Sequence, residues 1–138
     1  MTPRSRFAQE AEALVGTSFR LHGRNPATGL DCVGLVASAL SAMGRLPRAP
    51  RGYALRNGSI ASYLGLAEAN GLQAIDGPIA RGDLLLVRPG PSQHHLMIAT
   101  GLREFVHAHA SLRRVVIHRG ALPWPRCGHW RLPSTIEE

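Results

Sequence analysis

The chain has 138 residues, of which 44% are hydrophobic and 18% charged, and this composition is typical of one globular domain rather than of a disordered chain. We expect neither a membrane span nor a secretion signal, because no stretch approaches ~18 uninterrupted apolar residues and Glu10 and Glu12 interrupt the N-terminal apolar segment. The net charge is +7, yet the 16 basic residues are all arginines scattered along the chain, so nucleic acid is not the expected partner.

The first half of the chain has the periodicity of helices. Apolar residues at helical spacing predict a first helix over residues 6–15, and a turn-rich loop follows at 23–30. A second apolar run predicts a helix over 32–43. A third helix is predicted over 59–70, with Ser59 as its N-cap.

The second half of the chain changes to short apolar or alternating runs separated by turn residues, which predict strands. The five predicted strands cover residues 83–89, 94–100, 103–110, 113–119 and 128–132. Strands spaced this closely favour an antiparallel meander, with Asp83 in the turn before the first of them. Helices followed by strands indicate an α+β fold, in which N-terminal helices pack on a C-terminal antiparallel sheet of about five strands. We interpret residues 1–138 as a single domain.

The two cysteines, Cys32 and Cys127, are too few for a disulfide scaffold or a cysteine-only zinc site, so we expect two reduced thiols. Cys127 and Trp130 are predicted to be packing residues near the last strand. Cys32 lies in TGLDCVGLVASAL, at the first turn of the second helix, where the helix dipole and unpaired N–H groups favour a thiolate. The sequence therefore predicts a lowered pKa at Cys32. Asp31 before it fits a helix-capping carboxylate better than a catalytic group.

The histidines of the second half fall on two neighbouring predicted strands. Alternation in HHLMIAT places His95 on one face of its strand and His94 on the other, and REFVHAHA places His107 and His109 on a common face. The turn at Gly101 pairs these strands and brings His95 near His107. A helix-start cysteine, a histidine and a second polar residue form a triad of nucleophile, general base and orienting group.

Four segments of the sequence resemble the NlpC/P60 family of papain-like cysteine peptidases. GTSFRLHGRNPATGLDCVGLV is similar to the segment that leads into the family's nucleophile helix, RGDLLLV to its G-D-L strand, and HHLMIATG and EFVHAHA to its two histidine strands. The resemblance runs from Gly16 to about His109. It implies Cys32 as nucleophile, His95 as general base and His107 as the orienting residue.

The same resemblance implies a substrate and a setting. Family members cut peptidoglycan stem peptides, commonly between D-glutamate and the diamino acid, without a cofactor or a metal. The small size and the missing signal peptide resemble the phage-tail and gene-transfer-agent members. The expected partners are therefore peptidoglycan peptides and other proteins of a phage-tail-like particle, assembled after synthesis in the cytoplasm and acting at the cell wall.

Departures from the family pattern leave roles open near the predicted site. Phe19 replaces a common tyrosine and lacks its hydroxyl, and His22 stands where many members have glycine. His94 is a second candidate base, and His109 competes with His107 as the third residue. Phe19, Asp31, His94 and His109 are thus the candidates for substrate binding or oxyanion support.

Three alternatives to a peptidase remain. His95, His107 and His109 offer imidazoles of the kind that bind zinc, although a zinc site does not require Cys32 at a helix start. A non-catalytic tail component would keep the fold and use none of this chemistry. An amidase or acyltransferase would use the same residues on a substrate outside the cell wall.

Overall fold

In the described part of the chain, three helices precede the main part of the sheet, as the apolar periodicity predicts. The computed structural model of the protein describes residues 2–48 and 60–133, and the predicted N-cap Ser59 lies outside them. The helices are α1 (Pro3–Ala13), α2 (Cys32–Ala42) and α3 (Ile60–Ala69). Helix α1 begins three residues earlier than predicted, because the Thr2 side chain caps it and accepts a hydrogen bond from the Ser5 N–H. No helix in the described ranges is long and apolar enough to cross a membrane.

The strands form one small hairpin and one six-stranded antiparallel sheet. The hairpin pairs β1 (Arg24–Asn25) with β2 (Gly29–Leu30), inside the segment predicted as a loop. The larger sheet contains β3 (Gln73–Ala74), β4 (Leu84–Val87), β5 (His95–Gly101), β6 (Glu104–His109), β7 (Arg114–Arg119) and β8 (Arg126–Arg131). Five of the six strands in this sheet were predicted from the sequence. The sixth, β3, is too short for its residues to show alternation.

The order of the sheet is β3-β8-β4-β5-β6-β7, so the prediction of a simple meander is wrong for its last strand. Strands β4 to β7 follow one another as neighbours, but β8 returns to pair with β4, where Leu84 faces Trp130. All four residues of β4 are buried, so its second edge needs a partner strand for its backbone hydrogen bonds. The α+β class is confirmed, with a different strand order.

Alternation along the strands divides the sheet into the two predicted faces. One face packs on the helices and includes Leu96, Ile98 and Val106. The opposite face carries Met97 and Phe105 and is covered by three side chains from loops: Ile79, Leu122 and Trp124. Cys127 packs against the helix-side core and Trp130 is 4% exposed within it, which confirms their predicted packing roles.

A buried ionic network joins the start of β4 to β8. The fully buried Asp83 accepts hydrogen bonds from Arg131 Nε at 2.6 Å and from the backbone N–H of Ala80, and its Oδ2 lies 2.6 Å from His129 Nε2. The guanidinium of Arg126 lies 3.1 Å from His129 Nδ1 and can only donate, so His129 carries its proton on Nε2 and donates it to Asp83. Burial raises the pKa of Asp83, but the hydrogen bonds from Arg131 and His129 outweigh it and lower the pKa.

Replacing Asp83 by asparagine is expected to lower the free energy of unfolding by about 2–3 kcal/mol, because Arg131 and His129 lose a buried acceptor. The lowered pKa adds a pH dependence: this stabilisation is present above the unfolded-state pKa of about 3.9 and is lost as the pH falls below it. Urea unfolding checks both statements. The matched control is Asp76→Asn at an exposed carboxylate, with an expected change within about 0.5 kcal/mol, and an equal loss in both variants would contradict the network.

Candidate active site

A pocket of about 220 Å³ lies at the end of the sheet where β5 begins and β6 ends. Its wall contains most of the residues predicted from the sequence as site candidates, namely Phe19, Cys32, His94, His95, His107 and His109. Asp31, the seventh candidate, is fully buried behind this wall. The fold therefore brings together residues that lie on a loop, on a helix start and on two strands.

Cys32 is the first residue of α2, and Asp31 is the N-cap of that helix. Asp31 Oδ1 accepts the Gly34 N–H at 2.9 Å, and Oδ2 accepts the His22 N–H at 2.8 Å. The Arg24 guanidinium approaches Oδ1 at 3.3 Å. Asp31 therefore caps the helix and ties the preceding loop to it, as the preferred interpretation of the sequence has it.

The expected lowering of the Cys32 pKa is not found in the structure. Burial and, to a smaller extent, the Asp31 carboxylate together raise the pKa of the thiol to about 12, against the backbone N–H groups of Leu96, Val33 and Cys32. Cys32 is only 1% exposed, so its thiolate would lose almost all hydration. The helix-start argument is outweighed mainly because burial removes the water around the sulfur, and the Asp31 carboxylate that caps the helix adds a negative charge nearby.

His95 and His107 are joined by a hydrogen bond of 2.9 Å between Nε2 of His95 and Nδ1 of His107. Their rings meet edge to face, with centroids 5.0 Å apart, and both rings also contact Trp124. The bond occupies one ring nitrogen of His95 and leaves Nδ1 for another partner. For His95 Nδ1 to accept a proton, the neutral ring must carry its hydrogen on Nε2, which then donates the hydrogen bond to His107 Nδ1.

Both imidazoles are neutral at pH 7 in the free protein. Burial, assisted by the neighbouring histidines, lowers the pKa of His95 to about 3 and that of His107 to about 4. The resting pair is therefore a protonated thiol with a neutral imidazole, not a thiolate with an imidazolium. A neutral imidazole retains the lone pair that a general base requires.

Acidification below pH 6.5 is expected to destabilise the protein well before carboxylates titrate. The unfolded chain binds protons at His95 and His107 near pH 6.5, whereas in the folded chain His95 stays neutral down to about pH 3 and His107 down to about pH 4. Each histidine adds up to about 1.4 kcal/mol per pH unit to the slope of unfolding free energy between those values. Urea unfolding from pH 7 to 4.5 checks this expectation. The slope for His95→Asn is expected to be smaller than that of the wild type by the contribution of one histidine. A flat profile in the wild type would contradict it.

The remaining candidates occupy distinct positions around the pocket. His109 Nδ1 accepts the Leu112 N–H at 3.1 Å, so this ring is engaged in the turn after β6 rather than with His95. Phe19 is partly buried and its backbone N–H donates to Arg113. His94 contacts Tyr63, with ring centroids 5.9 Å apart. The catalytic roles inferred for these residues stay predictions.

The zinc alternative finds no support in the geometry. The described ranges contain no group of three His, Cys, Asp or Glu side chains placed to hold a metal ion. The Nδ1 atoms of His107 and His109 are hydrogen-bonded to His95 and to the Leu112 N–H, respectively.

Three residues of the site region were not predicted from the sequence. Gln93 and Trp124 line the pocket from loops, and Tyr63 lies buried on α3 beside His94. Trp124 stands in a proline-rich segment whose composition signals only a loop. No local pattern distinguishes Tyr63 from an ordinary core residue, because its position depends on how α3 packs.

Comparison with solved structures shows the same fold in several proteins. NlpC1 from Trichomonas vaginalis superposes with a TM-score of 0.70 at 20% identity, over 95% of this chain and 44% of that one. The NlpC/P60 domain of the peptidoglycan hydrolase SagA gives 0.65 at 22% identity, over 94% and 98% of the two chains. The peptidoglycan hydrolase RipB from Mycobacterium tuberculosis gives 0.61 at 20% identity, over 94% and 64%.

The present chain thus spans less than half the length of NlpC1 and nearly the whole of the SagA domain. Among curated proteins, no sequence matches it. The family model of NlpC/P60 matches residues 16–122, which include the cysteine helix start and both histidine strands. The chain therefore belongs to the NlpC/P60 family.

Proposed function

We propose that the protein is a cysteine peptidase that hydrolyses peptidoglycan stem peptides through an acyl-thioester. One observation carries the proposal: Cys32, at the first position of α2, shares a pocket with His95, whose Nε2 is hydrogen-bonded to His107. Members of the NlpC/P60 family are cysteine peptidases and related hydrolases, and this arrangement supplies the nucleophile, base and orienting group that such chemistry needs.

The first half of the reaction forms the thioester. The Cys32 sulfur attacks the scissile carbonyl carbon while the neutral His95 takes the thiol proton, for which Nδ1 is the free ring nitrogen. Because the thiol pKa is about 12, proton transfer accompanies attack rather than preceding it. His95 then gives that proton to the leaving amine, and the C–N bond breaks.

The second half restores the enzyme. His95 takes a proton from water, whose oxygen attacks the thioester carbonyl, and the C–S bond breaks with return of a proton to Cys32. His107 is a positioning residue here: by accepting from His95 Nε2 it holds the imidazole with Nδ1 unprotonated. The Cys32 backbone N–H, at the helix start, is the proposed donor to the carbonyl oxygen.

We further propose that the bond cleaved joins D-glutamate to the diamino acid of the stem peptide. The proposal comes from the resemblance of the sequence motifs to this family, and the structural relatives SagA and RipB are named as peptidoglycan hydrolases. A net charge of +7 is compatible with an anionic cell wall as substrate.

The test is digestion of defined muropeptides and of intact peptidoglycan, followed by mass spectrometry of the fragments. A peptidase releases fragments cut at one amide bond, and Cys32→Ala releases none. Cys127→Ser removes the other thiol and is expected to keep full activity. Fragments cut at the amide bond between the lactyl group and the first residue of the stem peptide would show an amidase instead, and intact substrate with the wild type would favour the non-catalytic alternative.

We propose that the protein works within a phage-tail or gene-transfer-agent particle and reaches the cell wall there. The support is the small size of the domain, which resembles such members. Purifying particles from producing cells and detecting this chain in them by mass spectrometry tests the proposal. Its absence from particles that contain the other tail proteins would refute it.

A further inference from the structure

The side chain of Tyr63 is buried beside His94, a residue of the pocket wall. Tyr63 lies on α3, is 2% exposed, and belongs to the same core cluster as Cys32. Its oxygen has no hydrogen-bond partner among the described residues. A buried tyrosine normally places its hydroxyl on a partner, because an unsatisfied polar group lowers stability.

A second unpartnered polar atom lies beside the first. His94 Nδ1 is buried and unbonded, and the rings of His94 and Tyr63 are tilted by 40° with centroids 5.9 Å apart. His94 also lines the pocket that contains Cys32. Among the side chains that the structure describes, in residues 2–48 and 63–133, these are the two buried polar atoms that lack a partner, and the rings that carry them are neighbours. Their clustering indicates a place for a polar group of a ligand.

Phe19 contributes no hydroxyl to the pocket wall. Phe19 lines the pocket where a tyrosine would present one, so its ring contributes only apolar surface. The Cys32 backbone N–H is one donor for a carbonyl oxygen near the sulfur, and a second donor has not been assigned on this side. We propose that the Tyr63 hydroxyl, with His94 beside it, donates a hydrogen bond to a carbonyl oxygen of the bound peptide next to Cys32.

The protonation state of Tyr63 fits a donor. Burial raises the pKa of the phenol, and Cys32 and Asp31 raise it further, so the hydroxyl keeps its proton throughout the neutral range. A peptide carbonyl oxygen can only accept a hydrogen bond, and a protonated phenol supplies the donor.

Tyr63→Phe distinguishes a packing role from a binding role of Tyr63. A residue that only packs would leave kcat/KM unchanged, whereas a residue that binds the substrate would lower it. The substitution removes one unpartnered oxygen and keeps the ring, so the thermal midpoint is expected to stay equal or rise. If the hydroxyl donates to the substrate, kcat/KM falls about 100-fold, mainly through kcat, because the bond strengthens as charge develops on the oxygen.

The matched control is Thr100→Val, which removes a buried hydroxyl that does have a partner. Thr100 Oγ1 donates to Glu104 Oε1 at 2.9 Å, at the other end of β5, about 17 Å along the strand from His95. This variant is expected to lower the thermal midpoint and leave kcat/KM unchanged. An unchanged kcat/KM in Tyr63→Phe would overturn the inference.

The inference rests on the proposed peptidase function, and a binding measurement separates the two. Calorimetry with an uncleaved muropeptide compares Cys32→Ala with Cys32→Ala/Tyr63→Phe. Weaker binding by at least fivefold in the double variant supports the Tyr63 contact even if the wild type cleaves nothing. Equal binding together with an inactive wild type overturns both the contact and the proposed function.

Discussion

Replacing Cys32 by alanine is expected to reduce kcat on a muropeptide by about 10⁴-fold or more, and His95→Ala to reduce it nearly as much. With a pKa of about 12, roughly one Cys32 in 10⁵ is ionised at pH 7 without help from a base. The reaction therefore depends on His95 taking the thiol proton during attack. The double variant is expected to be no worse than either single variant, because the two residues act as a unit.

The pH dependence of His95→Ala distinguishes this mechanism from a preformed thiolate. Without the base, the rate follows the thiolate fraction and rises about tenfold per pH unit, or about 100-fold between pH 7 and pH 9. The wild type should change far less over that range, because burial lowers the pKa of His95 to about 3 and the base is already unprotonated. Stopped-flow assays across this range make the comparison, and circular dichroism confirms that the variants fold.

A wild-type protein whose Cys32 reacts rapidly with iodoacetamide at pH 5 would contradict the neutral resting pair. The measurement is made in the Cys127→Ser background, so that Cys32 is the thiol that reacts. A flat pH profile for His95→Ala would contradict base-assisted attack. Substantial activity in Cys32→Ala would refute the assignment of the nucleophile itself.

Replacing Gly34 by alanine is expected to destabilise the protein by more than about 3 kcal/mol, although the same change inside a helix normally stabilises by up to about 1 kcal/mol. A Cβ at Gly34 would lie 1.9 Å from the Gly23 carbonyl oxygen, far inside the 3.0 Å below which a neighbour must move. That oxygen belongs to the backbone of the loop that lies across the start of α2, so it cannot turn away as a side chain would.

The same glycine change at Gly65 is the matched control. Gly65 lies on the exposed side of α3, and a Cβ there would meet nothing within 4 Å. Gly65→Ala is therefore expected to raise the free energy of unfolding by about 0.5–1 kcal/mol. Urea unfolding of both variants gives the two signs directly. Similar stability in Gly34→Ala and the wild type would mean that the loop does not approach α2 this closely.

Displacement of the loop should also reduce activity in Gly34→Ala. Asp31 holds the loop through the His22 N–H and the Arg24 guanidinium, and the loop follows directly on Phe19 in the pocket wall. Moving the loop changes the pocket even where Cys32 and His95 remain in place. The residual folded protein is expected to lose at least tenfold in kcat/KM, measured at a temperature where both proteins are folded.

The choice between His107 and His109 shows where strand pattern stops being informative. Alternation places both on one face of β6, and the structure has them there. Continuing the pairing of Ile98 with Val106 along β5 and β6 would even set His95 opposite His109. The twist of the strands brings the diagonal neighbour closer instead, and the hydrogen bond from His95 goes to His107.

The Asp83 network shows the same limit for charged residues. A G-D-L segment before a strand predicts a turn, and no local signal connects it to His129 and Arg131, 46 and 48 residues further on. Their contact depends on β8 returning to pair with β4. That return is decided by which strand edge remains unpaired once the meander β4 to β7 has formed, and it cannot be found by periodicity.

By itself, the sequence determined the features that depend on local repeats and on motifs. These are the α+β class, the helix that begins at Cys32, the faces of the two histidine strands and the NlpC/P60 resemblance, because periodicity and short motifs act within a few residues along the chain. The tertiary structure alone decided the strand order, the partner of His95, the burial of Tyr63 and the raised pKa of Cys32. Each of these features depends on solvent exclusion or on contacts between distant segments. At Cys32, the helix dipole lowers the pKa of the thiol, but packing removes the surrounding water and raises the pKa by more.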